Sequence, residues 1–206
     1  MATPPAAGTV PDVVRPRSSE KDEQILLAAT TLFAEHGYPV VTVADIAKQA
    51  QVGLSTVYLR FPSKEALGNA VYRRCKQAWA QSTLDKVPAD ATPAEQFHAY
   101  WRHLHQFATT HPEEWTYAER GPVGHTLDPD TVTFLEHLHS RSARLVDSWL
   151  AASPQRISRE VAAALIHGTF GQIVALPVSA RRRSTLLHQA GHAIWNAITS
   201  TTRPTT

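Results

Sequence analysis

The sequence predicts an all-α protein of about nine helices, and three observations carry that prediction. Apolar residues recur at helical spacing through most of the 206 residues. Helix-start punctuation repeats along the chain: a Ser, Thr or Asp before an apolar-periodic run, often with an acidic residue three positions on or a proline in the first turn. Neither strand-like alternation nor an Asn-Gly hairpin signal interrupts it.

Residues 1–17 are rich in Pro, Ala and Thr and read as a flexible arm ending in Arg15 and Arg17. Ser19-Glu20-Lys21-Asp22 has the form of a capping box, after which Ile25, Ala29, Leu32, Phe33 and His36 mark one helical face. Gly37 closes that helix, because the left-handed position after a helix favours a residue without Cβ. Thr42-Val43-Ala44-Asp45 is a second capping box, opening a short helix with Val43, Ile46, Ala47 and Ala50 inward. Gln51-Val52-Gly53 supplies a tight turn, and Leu54 to Phe61 forms a third helix that Pro62-Ser63 ends. Two short helices joined by about three residues containing Gly are the pattern of a helix-turn-helix. Ser63 caps a longer helix, and Thr92-Pro93-Ala94-Glu95, His111-Pro112, Asp128-Pro129, Ser158 and Ser184 mark further starts. The later helices are expected near 64–84, 93–110, 112–120, 129–151, 157–176 and 184–199, with Arg181-Arg182-Arg183 in a solvated loop.

Composition narrows the function. Apolar residues make up 43% and charged residues 18%, enough for a substantial core. The N-terminal segment lacks the apolar run of a signal peptide, and no stretch reaches the roughly 18 apolar residues of a membrane helix. A single cysteine, Cys75, rules out an internal disulfide and suits a reducing cytoplasm, the expected location, with no membrane partner. Net charge is only +2, and residues 1–75 hold eight Lys/Arg against seven Asp/Glu. Any case for nucleic acid must therefore rest on where charges stand.

Enzymatic chemistry finds little support. A phosphate loop, a nucleophile elbow and paired carboxylates are all missing, and Cys75, although it follows Arg73 and Arg74, reads as a structural thiol. Ten of the eleven histidines lie after residue 97, and His188 and His192 have zinc-ligand spacing. No cysteine or carboxylate stands near enough in sequence to complete a metal set, so neither metal nor cofactor is expected.

The stretch Ile25-Leu26, Ala28-Ala29, Leu32-Phe33-Ala34-Glu35, Gly37-Tyr38, Thr42-Val43, Asp45-Ile46-Ala47, Ala50, Val52, Ser55-Thr56-Val57-Tyr58, Phe61, Ser63-Lys64-Glu65 and Leu67 resembles the TetR family of bacterial regulators. Beyond it the resemblance rests on length and helix content. The family implies a helix-turn-helix DNA-binding domain at 18–66, an effector-binding and dimerisation domain at 67–200, and a tail at 201–206. It implies a repressor that binds a palindromic operator as a dimer and is released by a small-molecule effector.

The resemblance also implies that Tyr58, Lys64 and Thr42 touch DNA phosphates. The free N–H groups of the helix starts at Thr42 and Ser63 suit that role chemically. Arg60 stands where many relatives have histidine, and either could meet a phosphate. Ala44, Leu54, Ser55 and Thr56 are placed to meet base edges. They include no Arg, Asn or Gln, so thymine-methyl contacts, water-mediated contacts and DNA shape should contribute much of the specificity. Arg15 and Arg17 read either as a solvated tail or as a minor-groove reader.

In the family the last two helices of each subunit form the dimer interface. Here Ala162, Ala163, Ala164, Gly168 and Gly171 would permit close approach, and Leu186, Leu187, Ala190, Ile194, Trp195 and Ile198 give a broad apolar face. Ordinary intrachain core is the overlapping alternative. The aromatic-rich middle of the chain encloses an effector pocket in the family. Trp101, His105, Trp115, Phe134 and Phe170 are the candidates to line it, against plain core packing.

Overall fold

Nine helices and no strand make up the described residues of the computed structural model, 17–121, 123–151 and 157–199. Arg15 and the 201–206 tail lie outside those residues. The helices are α1 (Arg17–His36), α2 (Val43–Gln49), α3 (Leu54–Arg60), α4 (Lys64–Ser82), α5 (Pro93–Thr110), α6 (Pro112–Arg120), α7 (Pro129–Ala151), α8 (159–175) and α9 (Ala180–Thr199). A 3-10 turn, Leu84–Lys86, follows α4, and α8 contains a π turn at Ala164–Gly168. None is long and apolar enough to cross a membrane.

The expected caps largely form. Thr42 and Asp45 make a reciprocal capping box at α2, and Thr92 and Glu95 make another at α5, where Pro93 occupies the first turn. Ser63 Oγ accepts from the Ala66 N–H at 3.0 Å and fixes the start of α4. Gly37 adopts φ +84° behind α1, as the left-handed exit requires. The residue with positive φ in the α2–α3 turn is instead Gln51, at +55°, and Gly53 is the extended residue before α3.

Two apolar clusters hold the helices together. The first joins Ile25 and Phe33 of α1, Ile46 of α2, Val57 of α3 and Leu67 and Val71 of α4, and takes in Tyr117 from α6. The second packs Phe97, Leu104 and Phe107 of α5 with Trp149, Ile166, Phe170 and Ile198. Full burial of side chains this size stabilises by about 1.5–3 kcal/mol each.

Three local expectations change. The first helix begins at Arg17, so Ser19 stands inside it, and His36 is exposed at its end because the following chain turns away. The last helix begins at Ala180, four residues early, because Ser179 rather than Ser184 accepts an early N–H, that of Arg182, at 3.3 Å. Arg181-Arg182-Arg183 is therefore the first turn of α9, with Arg183 folded back to donate to the carbonyls of Leu176 and Val178.

Candidate nucleic-acid interface and ligand cavity

The first three helices build a surface reader. Val57 is fully buried, and helical spacing then turns its neighbours outward. Tyr58 is 48% exposed, Leu54 45% and Leu59 81%, with Ser55 exposed and Thr56 half-buried. Thr42 and Ala44 are exposed at the start of α2. The Asp45 carboxylate accepts from the Thr42 N–H at 2.9 Å, and these Thr42 hydrogen bonds hold its carboxyl below the usual range. Six of the eight DNA-contact candidates thus stand on the surface of two short helices and their starts.

The other two are engaged within the protein. Arg60 Nη1 lies 3.3 Å from Asp22 of α1. Lys64 Nζ donates to the Pro39 carbonyl at 3.3 Å and sits 4.4 Å from the Tyr38 ring centroid, and burial there lowers its pKa. Lys48, exposed on α2, is a basic residue of the same region that the motif did not single out. Its signal was only a charge in the last turn of a short helix.

Helix α6 ties this reader to the rest of the chain. Tyr117 stacks on Phe33 at 5.6 Å, Arg120 Nη1 donates to the Ala34 carbonyl at 2.8 Å, and Arg74 of α4 bridges Glu23 of α1 and Glu114 of α6 at 2.7 and 3.4 Å. The loop after α6 is clamped to α4 by Asn69, which donates to the Thr126 carbonyl at 3.0 Å and accepts from the Asp128 N–H at 3.1 Å. His125 lies 4.5 Å from the Tyr38 ring.

The opposite face of α6 borders a cavity of about 670 Å³ between α4, α6, α7 and α8. Trp79, Trp115 and Leu138 give it apolar walls, and Lys76, Glu119 and His167 bring polar groups. Among the five effector candidates Trp115 lines this cavity. Trp101 and His105 instead border a groove between α5 and α9, Phe170 is fully buried beside Trp101 and Trp115, and Phe134 is half-buried between the two apolar clusters. Trp101 is held by an N–H···O bond of 2.8 Å to the Leu187 carbonyl, a packing role. Lys76, Glu119 and His167 come from three helices, and no local spacing brings them together.

The remaining sites of possible chemistry are quiet. Burial pushes the Cys75 thiol up to about 12, so Arg74 does not make it a nucleophile. His188 and His192 lie 4.8 Å apart and His98 4.9 Å from His192, yet no three metal-binding side chains among the described residues are placed to share an ion.

A second helix packed inward through Val43, Ile46 and Ala47, an outward third helix and a helical body form a helix-turn-helix arrangement. Residues 25–71 match the family model described as bacterial regulatory proteins, tetR family. That match covers the first helices of the chain, and the rest of the chain resembles the family in its fold. The chain is 30% identical over 83 residues to the HTH-type transcriptional regulator HbdR of Aromatoleum sp. (strain CIB), a match spanning 40% of this chain but only 36% of that relative. The fold resembles a putative tetR family transcription regulator from Shewanella sp. PV-4, with a TM-score of 0.72, 21% identity and coverage of 86% of this chain and 97% of that one. It also resembles the transcriptional regulator FadR from Bacillus subtilis in complex with stearoyl-CoA, with a TM-score of 0.64, 18% identity and coverage of 88% and 99%.

Proposed function

We propose that the chain is a TetR-family regulator that binds a two-fold operator as a homodimer, represses transcription in the cytoplasm, and is released by a small molecule entering the α4–α6–α7–α8 cavity. The observation that carries the reading is the exposed side of α2 and α3, which presents Thr42, Ala44, Leu54, Ser55, Thr56 and Tyr58 on one rigid unit. Phosphates would be held at the helix starts and by Tyr58, and base edges met by the short side chains. Lys64 and Arg60 would join them by exchanging Pro39 and Asp22 for phosphate. In this division residues 18–66 read DNA, and 67–200 bind the effector and pair the subunits.

Release follows from the two faces of α6. Trp115 and Glu119 border the cavity, whereas Tyr117 and Arg120 hold α1. A ligand that favours a shifted α6 would change the spacing of two recognition helices, a population shift between two states. The stearoyl-CoA complex of the Bacillus subtilis neighbour supports reading the cavity as an effector site. The reading is one of binding rather than turnover.

A gel shift with the upstream intergenic DNA of the gene, repeated across salt concentrations, tests the first step. Specific retardation that weakens steeply with salt is the expected result. A protein that retards this DNA no better than unrelated DNA would defeat the reading.

A further inference from the structure

Lys76 is the unusual group of the cavity. Its side chain is half-buried on α4, 5.6 and 5.7 Å from the Tyr72 and Trp79 ring centroids, and among the described residues no hydrogen bond or ion pair holds its ammonium. A cation in apolar surroundings without an acceptor is costly, and burial accordingly lowers its pKa. The Tyr72 and Trp79 rings nearest to it already face its own charge, so a ligand cation would find them occupied.

The opposite wall carries a second donor. The π turn of α8 holds His167 at the cavity, and irregular turns of this kind often mark sites. Burial drives His167 to about 4, so the imidazole is neutral. The buried Tyr100 hydroxyl lies 3.3 Å from its Nε2 and has no other partner among the described residues. If Tyr100 keeps its proton and donates it, the imidazole proton resides on Nδ1, leaving an N–H donor without a protein acceptor.

Two acidic groups, Glu119 and Glu160, border the same cavity. Glu160 at the mouth is engaged with its own helix start, through its backbone N–H and Ser158. Glu119 forms no ion pair with Lys76; burial pushes its carboxyl upward while the Lys76 charge draws it back down. Arg159, also at the mouth, is bound to Asp147 at 2.6 Å.

We infer that the cavity takes an apolar monocarboxylate of drug-like size, its hydrocarbon part against Trp79, Trp115 and Leu138 and its carboxylate between Lys76 Nζ and the His167 imidazole. A volume of about 670 Å³ lies within the range of sites that enclose such molecules. The inference rests on reading this cavity as the effector site.

Three fluorescent probes that differ only in the polar end test it: 1-pyrenebutyrate, 1-pyrenebutanol and 1-pyrenebutylamine, titrated against the full chain by energy transfer from tryptophan. The acid should bind about tenfold more tightly than the alcohol, the loss expected when a charged hydrogen bond is missing. That preference should collapse in both Lys76→Met and Lys76→Gln, and should survive in part in Lys76→Arg; agreement between the two neutral variants separates lost charge from lost packing. Equal affinities, no binding by any probe, or an acid preference indifferent to Lys76 would overturn the inference. So would tightest binding of the amine with loss in Glu119→Gln, which would make the occupant a cation. The gel shift of the unaltered protein is scored separately: a Lys76-dependent acid preference without operator binding would defeat the regulator reading and leave the ligand class standing.

Discussion

At the scale of single residues, Tyr58 and Lys64 stand in different states. Tyr58 is half exposed, whereas Lys64 is held against the Tyr38 ring and the Pro39 carbonyl, contacts it would have to leave in the proposed DNA complex. In that complex, part of its attraction for phosphate would be spent on the exchange. Lys64→Ala should weaken binding to all sequences alike, reduce the slope of log affinity against log salt by about 1, and leave thermal stability nearly unchanged. Thr56→Ala or Leu54→Ala should instead alter the ranking of operator variants, by about 1–3 kcal/mol at the affected base pair. Competition gel shifts against a panel of single-base operator variants separate the two behaviours. If Lys64→Ala changed sequence preference but not the salt slope, its role as a phosphate anchor would be wrong.

At the scale of elements, small residues decide which helices meet. A Cβ at Gly191 on α9 would come within 2.8 Å of the Trp101 indole, the ring whose N–H is bonded to Leu187. Gly191→Ala should therefore destabilise by about 1–3 kcal/mol, the usual cost of overpacking, and denaturant unfolding measures it. Gly168 on α8 is the opposite case: an added Cβ would meet nothing within 4 Å, and Val161 and Ala164 are exposed nearby on the same helix. Ala162, by contrast, is fully buried in the second cluster, so the small residues of α8 divide between core and surface. Gly168→Arg should leave the subunit folded but convert a dimer to monomers in analytical ultracentrifugation. A variant that stays dimeric would remove this part of α8 from the proposed interface.

At the scale of the whole molecule, buried histidine links stability to pH. In the unfolded chain a histidine gains its proton near pH 6.5, while folded His167 resists until about 4, through burial and the nearby Lys76 charge. Acidification between those values protonates the unfolded chain first, so stability is full above about pH 6.5 and declines below it. His167 alone should account for at most about 2 kcal/mol of the loss between about pH 7.5 and about pH 5. His98, His103, His105 and His125 are lowered in the same direction by burial, so the comparison must be with a variant. Thermal melts at the two pH values should show a smaller drop for His167→Gln than for the natural chain, and equal drops would show that His167 titrates normally when folded.

What the sequence determined by itself is local. The capping boxes at Thr42 and Thr92, the glycine exit at Gly37 and the inward set Val43, Ile46, Ala47 and Ala50 are encoded within one or two turns of helix, where side chain and backbone meet directly. The reader was legible for the same reason, since α2, α3 and their turn occupy one short contiguous stretch. A local signal also misled at the start of α9, where the sequence marked Ser184 and Ser179 instead accepts the early N–H. Only the tertiary structure decided which aromatic residues line a cavity and which fill a core. Trp101 and Trp115 look alike in sequence, yet one borders the α5–α9 groove and the other the cavity. It also brought Lys76, Glu119 and His167 together from α4, α6 and α8, and set Lys64 against Tyr38. Such meetings depend on how helices cross after their apolar faces are buried, and no single helix carries that information.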